Sequence, residues 1–271
     1  MAESDPRLGA GERLDFLRVA QGLALEAGAL LLDHLGRLDP AAIAAKSAAR
    51  DLVTAADLAS ERLLVAGLRA AFPDHAIEAE EETVDQRDDR PRWFLDPLDG
   101  TVNFVHRIPV FGVSMGLWVD GAPEVAVVHA PALGETFTAC RFGGAFRDGR
   151  PMRCSAARAL GESVLATGFP YRRGELEHSN LENFGRFFLD VRGLRRMGSA
   201  AVDLAYVADG RFDGFWELHL SPHDVAAGGL LVREAGGRVT DADGGEDWLR
   251  GGHIVASAPG IHEAIRERVV H

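Results

Sequence analysis

Two spacings of hydrophobic residues divide the chain into regions. Residues 12–36 carry leucines at helical intervals, and Gly36 is a typical C-terminal cap, so this stretch is predicted to be an amphipathic helix. The polar stretch 37–50 is predicted to be a loop. Thr54–Asp57 has the form of a capping box and predicts a second helix, which ends before Pro73.

Beyond Phe111 the apolar residues follow strand patterns. Short runs joined by Asp-Gly and Gly-Gly turns predict strands at 113–119, 125–128, 136–140 and 145–146. Apolar runs then alternate with helical patterns, which predicts strands near 164, 194, 212–218, 239 and 254, and helices at 178–190, 200–209, 224–235 and 260–270. We therefore predict an α+β half, residues 1–155, joined to an α/β half, residues 156–271, in one compact unit.

Composition and charge narrow the class of protein. The chain has 271 residues, 46% apolar and 26% charged, which is typical of a globular protein with a full core. No apolar run approaches the ~18 residues of a membrane span, and the acidic N-terminus does not predict a signal peptide. Because Cys140 and Cys154 are the only cysteines, a disulfide scaffold is excluded and a cytoplasmic location is expected. The net charge of −12 argues against nucleic-acid and anionic-membrane partners, although bound cations can still admit a phosphorylated substrate.

Residues 93–104 carry the strongest chemical signal. A short apolar run, predicted to be a buried strand, leads into Asp96 and then into a turn that contains proline and glycine. At the end of such a strand, Asp96, Asp99 and the Leu98 carbonyl can converge on one point, and hard cations such as Mg²⁺ prefer all-oxygen ligands. An ordinary Asp-Pro turn is the alternative, but the apolar run before it and the Thr-x-Asn-Phe sequence after it favour a cation site.

The segment resembles the central motif of the inositol monophosphatase family of Mg²⁺-dependent, lithium-sensitive phosphatases. Three further elements have that family's spacing: Lys46 with Asp51–Asp57, the acidic run Glu78–Glu82, and a helix that begins near Asp224 and ends at Glu234–Gly237. The resemblance extends from about Leu14 to Val269. It implies a layered α-β-α-β-α sandwich of the inositol monophosphatase and fructose-1,6-bisphosphatase type, acting as one catalytic unit, and a homodimer.

The resemblance also implies the site residues. It assigns two to three Mg²⁺ ions to Glu80, Asp96, the Leu98 carbonyl, Asp99 and Asp224. With Asp57 this makes five carboxylates in one cleft, a repulsive arrangement that divalent cations resolve. The implied catalytic residues are Glu80, which supports a third ion, and Asp57 with Thr101, which orient and deprotonate a water that attacks without a phosphoenzyme. Substrate contacts are assigned to Asp99, Gly100, Thr101, Gly198, Ser199, Ala200 and Glu217.

Each of these elements also has a purely structural interpretation. The run Glu78–Glu82 is typical of a solvated acidic surface, and Thr54–Asp57 can be a helix cap alone. Asp224 can serve only the helix dipole, and Gly198–Ala201 only an N-cap. Glu217 can be an exposed acid at a strand end, but its position seven residues before Asp224 matches the register of a substrate-binding glutamate in the family.

Two positions are unusual. Lys46 is the only lysine among 29 basic residues, and the resemblance places it in a mobile loop that closes over the metal ions. His223 stands just before Asp224, where the family commonly has tryptophan. Either its imidazole packs where the indole would, or it shifts the pH optimum or the third metal site.

Three function hypotheses remain open. The first is a Mg²⁺-dependent inositol-1-monophosphatase. The second is a relative with the same chemistry that acts on fructose 1,6-bisphosphate, histidinol phosphate or a 3′-phosphonucleotide. The third is a protein whose main role is binding, for instance to the transcription machinery, which predicts loss of the acidic residues. Because every expected ligand is intact and Glu217 would repel a second phosphate, the first hypothesis is preferred.

Overall fold

Seven helices and fourteen strands form the regular structure of the described residues. The computed structural model describes residues 8–37, 44–45, 52–86 and 90–271. The helices are α1 (Ala10–His34), α2 (Ala55–Ala71), α3 (Thr101–Val105), α4 (Leu181–Phe188), α5 (Ala200–Ala208), α6 (Pro222–Glu234) and α7 (His262–Arg266). A short 3₁₀ helix spans Leu160–Glu162.

The strands form one short pair and two larger sheets. In the pair, β1 (Ala44–Ala45) runs antiparallel to β2 (Leu52–Val53). The larger sheet has the spatial order β3 (Ala76–Ala79), β4 (Arg92–Asp99), β5 (Gly112–Val119), β6 (Ala122–Ala130), β7 (Glu135–Cys140), β8 (Gly144–Arg147) and β9 (Arg150–Pro151), and only β3 and β4 are parallel neighbours. The smaller sheet has the order β11 (Gly193–Arg195), β10 (Val164–Thr167), β12 (Gly214–Leu218), β14 (His253–Ser257) and β13 (Arg238–Thr240), in which β10 is parallel to both of its neighbours.

Helices and sheets alternate in five layers. α1 and α2 cover one face of the larger sheet, where Leu64 and Trp93 belong to the same buried cluster. α5 and α6 lie between the two sheets, in a cluster that joins Leu230 to residues of both. On the outer face of the smaller sheet, Phe187 of α4 packs on Trp216 of β12 with ring centroids 4.3 Å apart, and α7 adds to the same cluster. The predicted α-β-α-β-α sandwich is confirmed.

The first two helices agree closely with the apolar pattern. α1 buries one face, on which Ala20, Ala24, Ala27 and Leu31 recur at helical spacing. α2 begins at the predicted cap, where the Thr54 hydroxyl accepts a hydrogen bond from the Ala56 N–H at 3.1 Å. None of the described helices has an apolar stretch long enough to cross a membrane.

The structure corrects the sequence predictions in several short elements. β1 lies within 37–50, which was predicted to be a loop, because a two-residue pairing needs no apolar pattern. The helices predicted at 178–190 and 260–270 are shorter, as α4 and α7, and α4 starts only after Asn180, whose φ of 69° is left-handed. α3 was not predicted, since five residues are too few to show a helical period.

Candidate metal centre

The centre begins at the end of β4. This strand pairs with β5 up to Asp96 and again at Asp99, and the register shifts between the two residues. The predicted turn is therefore wrong at Pro97 and begins only at Gly100. The strand continues through Pro97 because this residue, which has no N–H to donate, lies where the ladder is interrupted anyway. In a regular strand positions 96 and 99 would face opposite sides, but here both carboxylates contribute oxygens to one cluster.

Gly100 turns the chain from β4 into α3. Its φ of 94° lies in the left-handed region, and an added Cβ would lie 3.0 Å from the Val110 carbonyl oxygen. Any other side chain would strain this turn. Glycine here makes Thr101 the first residue of α3, directly after Asp99 and Gly100.

α6 supplies a third carboxylate. Ser221 caps this helix and Pro222 occupies its first position, so Asp224 lies in the first turn and its Oδ2 accepts a hydrogen bond from the Ser221 N–H at 2.6 Å. One carboxylate oxygen each from Asp96, Asp99 and Asp224 lies within 4.8 Å of the others. Asp224 therefore caps its helix and also joins the acidic cluster.

Glu80 joins the cluster from β3. Because β3 runs parallel to β4 and Ala79 pairs with Leu95, Glu80 lies beside Asp96. The Glu80 N–H donates to the Leu95 carbonyl at 3.1 Å. A hydrogen bond between the carboxyl groups of Glu80 and Asp96 is one of the causes that raise the pKa of Asp96. The structure thus brings together the four predicted ligand carboxylates.

The electrostatics of these four groups favour a bound cation. Burial, followed by the charges of Glu80, Asp99 and Asp224, raises the pKa of Asp96 well above its usual range. Burial and the Asp224 charge raise the pKa of Asp99 to about 7. Each carboxylate therefore destabilises the charge of its neighbours. An all-oxygen donor set of this kind fits a hard divalent cation such as Mg²⁺, which would stabilise the ionised forms.

Asp57 and Thr101 form a hydrogen-bonded pair next to the acidic cluster. The Asp57 Oδ2 accepts from the Thr54 N–H at 2.8 Å and from the Thr54 hydroxyl at 2.6 Å, and its Oδ1 accepts from the Thr101 hydroxyl at 2.9 Å. The Thr101 hydroxyl also lies 3.1 Å from the Leu98 carbonyl oxygen. Burial raises the pKa of Asp57 more than these hydrogen bonds lower it, and the Glu80 charge adds to the rise. Asp57 is thus part of the cap of α2 and also contacts Thr101, the first residue of α3.

The N-terminus of α5 holds Asp99. The Ser199 hydroxyl and the Ala201 N–H donate to the same Asp99 oxygen, at 2.6 and 2.7 Å. Gly198, with φ 95°, lies against Asn103: an added Cβ would lie 2.7 Å from the Asn103 amide nitrogen. The Asn103 amide nitrogen also donates to the carbonyl of Met197, the residue before Gly198, at 2.8 Å. The segment is therefore an N-cap, as one interpretation predicted, and it also orients a ligand carboxylate.

A cavity of about 430 Å³ opens beside the cluster. Six of its lining residues were predicted from the sequence: Glu80, Asp99, Gly198, Ala200, Glu217 and Asp224. Glu217 belongs to β12 and is only 7% exposed, so its interpretation as an exposed strand-end acid is wrong. Burial raises the pKa of Glu217 to about 8, against the opposing charge of Arg196.

Several residues of the cavity wall were not predicted. Tyr171, Arg172, Arg196 and His219 all line the cavity. Burial of its phenol and the charges of the nearby acidic residues raise the pKa of Tyr171. His219 adopts a φ of 62°, and its Nε2 lies 3.1 Å from the His178 carbonyl oxygen. No motif in the sequence marks these four residues as belonging to the site. The one signal that could have indicated any of them is that His219 follows the predicted substrate-binding Glu217 by two positions.

Two further predictions concern His223 and Lys46. The His223 side chain is 16% exposed in the cavity wall, with its Nε2 3.8 Å from Asp224 Oδ1. It therefore packs in the wall and also faces the neighbouring carboxylate. Lys46 lies outside the described residues.

Comparison with known proteins identifies the class that this fold and site define. The sequence model of the inositol monophosphatase family matches residues 12–271, and the chain belongs to that family. Its layered fold is shared with solved members. The structure of inositol monophosphatase from Anabaena (Nostoc) sp. PCC 7120 has a TM-score of 0.86 and 40% sequence identity, covering 94% of this chain and 95% of that one.

Particular relatives carry two kinds of name. The protein named Nus factor SuhB from Escherichia coli (strain K12) is 42% identical over 250 residues, which cover 92% of this chain and 93% of that protein. The protein named inositol-1-monophosphatase from Rhizobium meliloti (strain 1021) is 42% identical over 263 residues, which cover 94% and 96%.

Proposed function

We propose that this protein is a Mg²⁺-dependent hydrolase of phosphate monoesters, with inositol 1-phosphate as its preferred substrate. The observation that carries the proposal is the convergence of Asp96, Asp99 and Asp224, with Glu80 beside Asp96, at a cavity of about 430 Å³. A cavity of this size suits a small phosphorylated polyol. Membership of the inositol monophosphatase family supports the proposal.

The acidic cluster would hold two or three Mg²⁺ ions. Glu80, Asp96 and the Leu98 carbonyl are the proposed ligands of the first. Asp96, Asp99 and Asp224 are those of the second, and Glu80 supports a third. When bound, such ions neutralise charge on the phosphoryl group and lower the pKa of water.

Asp57 and Thr101 would activate the attacking water. Because the Thr101 hydroxyl donates to Asp57 at 2.9 Å, its oxygen keeps lone pairs that can accept a hydrogen bond from water. A proton can then pass through Thr101 to Asp57, whose pKa is raised by burial and which is therefore a stronger base than an exposed aspartate. The two hydrogen bonds from Thr54 hold the Asp57 carboxylate in place for this transfer.

Backbone N–H groups would contact the phosphoryl oxygens. Gly100 and Thr101 lie at the turn from β4 into α3, where N–H groups have no partner within the helix. Gly198 and Ala200, at the start of α5, line the cavity beside the acidic cluster. Asp224 lies among the metal ligands and is proposed to help stabilise the departing alkoxide.

The two cysteines do not offer a competing nucleophile. Burial raises the pKa of Cys140 to about 11 and that of Cys154 to about 12, so both remain thiols at neutral pH. Neither residue lines the cavity. This argues against a phosphocysteine intermediate at either residue.

A phosphate-release assay over a panel of esters tests the proposal. With Mg²⁺, kcat/KM is expected to be higher for inositol 1-phosphate than for fructose 1,6-bisphosphate, histidinol phosphate or 3′-phosphoadenosine 5′-phosphate, and EDTA is expected to abolish release. If a bisphosphate is cleaved more efficiently, the inositol assignment is wrong and only the phosphatase chemistry remains. Failure to cleave any ester with Mg²⁺ present would contradict the whole proposal.

The Glu217→Gln variant tests how the polyol is recognised. We propose that Asp99, Ala200 and Glu217 bind the inositol hydroxyls. Both oxygens of an ionised glutamate can accept hydrogen bonds from these hydroxyls, whereas glutamine has only one acceptor oxygen. At pH 8.5, kcat/KM for inositol 1-phosphate is expected to fall by about 1–2 kcal/mol, or roughly 5- to 30-fold. At pH 6 the loss should be smaller, because a Glu217 pKa of about 8 leaves the wild-type side chain largely protonated. The measurement is kcat/KM at both pH values.

A small generic ester is the control for this variant. p-Nitrophenyl phosphate has no vicinal hydroxyls, so its hydrolysis by Glu217→Gln should change little at either pH. An equal loss for both substrates would mean that Glu217 does not bind the polyol.

The relative named Nus factor SuhB favours a second candidate function, a binding role in the transcription machinery. Asp96 is buried, so Asp96→Asn removes a proposed metal ligand while leaving the protein surface unchanged. In a strain that lacks the gene, full rescue by Asp96→Asn would support the binding role. Rescue by the wild type alone would support the enzyme.

A further inference from the structure

A buried glutamate outside the acidic cluster holds the turn that carries Glu80. Glu61 lies in α2 and is 2% exposed. Its Oε2 accepts a hydrogen bond from the Glu81 N–H at 2.8 Å, and its Oε1 accepts from the N–H groups of Glu82 and Thr83 at 3.0 and 2.9 Å. Three consecutive N–H groups of one turn therefore bind a single carboxylate.

The same turn is anchored on its other side by β4. The Glu80 N–H donates to the Leu95 carbonyl at 3.1 Å, and the Ala79 N–H closes the turn by donating to the Thr83 carbonyl at 2.7 Å. Glu80 thus lies between two bound peptide groups. Since its backbone is held before and after the Cα atom, the direction in which its side chain leaves the backbone is also set.

The face of α2 that carries Glu61 also contacts residues 97–101, which include Asp99 and directly follow Asp96. Asp57, Ser60 and Glu61 occupy positions i, i+3 and i+4 and share one side of the helix. The Ser60 hydroxyl donates to the Pro97 carbonyl at 2.8 Å, and Asp57 accepts from Thr101 at 2.9 Å. One helix face therefore contacts both segments that supply the carboxylates of the larger sheet.

We propose that Glu61 is a positioning residue for the metal centre, which presets the turn at 80–83 so that Glu80 lies beside Asp96 before a cation binds. This inference rests on the proposed function, in which Glu80 is a metal ligand. Without Glu61 the turn would have to be ordered when the cation binds, and that loss of entropy would lower the affinity. Glu61 itself is not a ligand, because both of its oxygens bind the turn and it does not line the cavity.

A carboxylate of this length is required by the three donors. Glutamine at position 61 would turn an NH₂ group toward one or more of the N–H groups and leave them unpaired. Aspartate would keep the charge, but with one methylene fewer it would reach the turn less well. The two variants therefore separate the number of acceptors from the reach of the side chain.

Binding of Mn²⁺ to metal-free protein tests the inference without relying on turnover. The ion is titrated into wild type, Glu61→Gln, Glu61→Asp and Glu82→Gln, and the electron paramagnetic resonance signal of free Mn²⁺ is recorded. Glu61→Gln is expected to raise Kd about 10-fold, and Glu61→Asp by less. Glu82→Gln removes the same charge from the same turn, but this side chain is exposed and pairs with Arg62 at the surface at 3.6 Å, so Kd should stay within about 2-fold of wild type.

Amide hydrogen exchange is the second readout. In Glu61→Gln the N–H groups of residues 81–83 are expected to exchange faster, while the rest of the described chain keeps its protection.

A lower Tm with unchanged Mn²⁺ affinity would show a merely structural role and overturn the inference. So would equal weakening by Glu82→Gln. If Glu61→Gln does not fold, Glu61→Asp decides by the same criteria. Absence of Mn²⁺ binding by wild type would refute the proposed function as well, whereas binding by wild type that Glu61→Gln does not weaken would refute this inference alone.

Discussion

Asp96→Asn is expected to lower kcat for inositol 1-phosphate by more than about 10³-fold. Asp96 is 1% exposed, contributes an oxygen to the cluster with Asp99 and Asp224, and is hydrogen-bonded to Glu80. It is therefore the proposed ligand shared by two ions. Asparagine keeps the volume of the side chain but removes its charge and presents an NH₂ group that cannot coordinate a cation. The measurement is kcat as a function of Mg²⁺ concentration up to saturation.

Asp120→Asn is the matched control for this variant. Asp120 lies in the exposed turn between β5 and β6 with a φ of 48°, a conformation that asparagine adopts as readily as aspartate. Because Asp120 belongs neither to the acidic cluster nor to the cavity wall, the same chemical change there should leave kcat and its Mg²⁺ dependence unaltered. Near-normal turnover by Asp96→Asn, with the Mg²⁺ dependence of the wild type, would remove Asp96 from the metal site.

Metal-free protein is expected to lose stability as the pH rises from 5 to 8. The pKa of Asp99 is about 7 in the folded state against 3.8 for an ordinary aspartate, and that of Glu217 is about 8 against 4.5. Between these values the unfolded chain has released protons that the folded chain retains, so the free energy of unfolding falls with increasing pH. Asp99 alone accounts for about 2 kcal/mol over the two units from pH 5 to 7. The measurement is urea unfolding at pH 5 and pH 8 in EDTA.

Repeating the unfolding with saturating Mg²⁺ isolates this contribution from all other titrating groups. A cation bound only by the folded state stabilises the ionised carboxylates, so the stabilisation by Mg²⁺ should grow between pH 5 and pH 8 by at least about 2 kcal/mol. The same pH dependence in EDTA and in Mg²⁺ would mean that the acidic cluster does not bind the ion.

Local sequence was enough to predict the central part of the site. Asp96, Asp99 and Thr101 are neighbours in the chain, and the apolar run before them already indicated a buried strand end. The continuation of β4 through Pro97 was not predictable, because proline and glycine favour a turn locally and the pairing with β5 overrides that preference. The five-layer order, in turn, depended on the resemblance to the family.

The distant contributors needed information that spacing does not hold. Asp224 and Glu80 look like a helix cap and a surface acid until the fold places them beside Asp96. Glu61 looks like any helical glutamate, since its function depends on three N–H groups some twenty residues away. Tyr171 lies in an irregular segment that shows no period at all.

The order in which the layers are synthesised has a consequence for folding in the cell. The larger sheet is complete at Pro151, but α6, which covers its inner face, begins only at Pro222. At about 5–20 residues per second, a ribosome needs roughly 4–14 s to make the intervening chain. Until α6 is made, Phe94 and Phe137 lack the helix that completes their buried cluster, and this apolar surface can contact other nascent chains. Fast translation or a chaperone that shields this surface should therefore raise the yield of soluble protein.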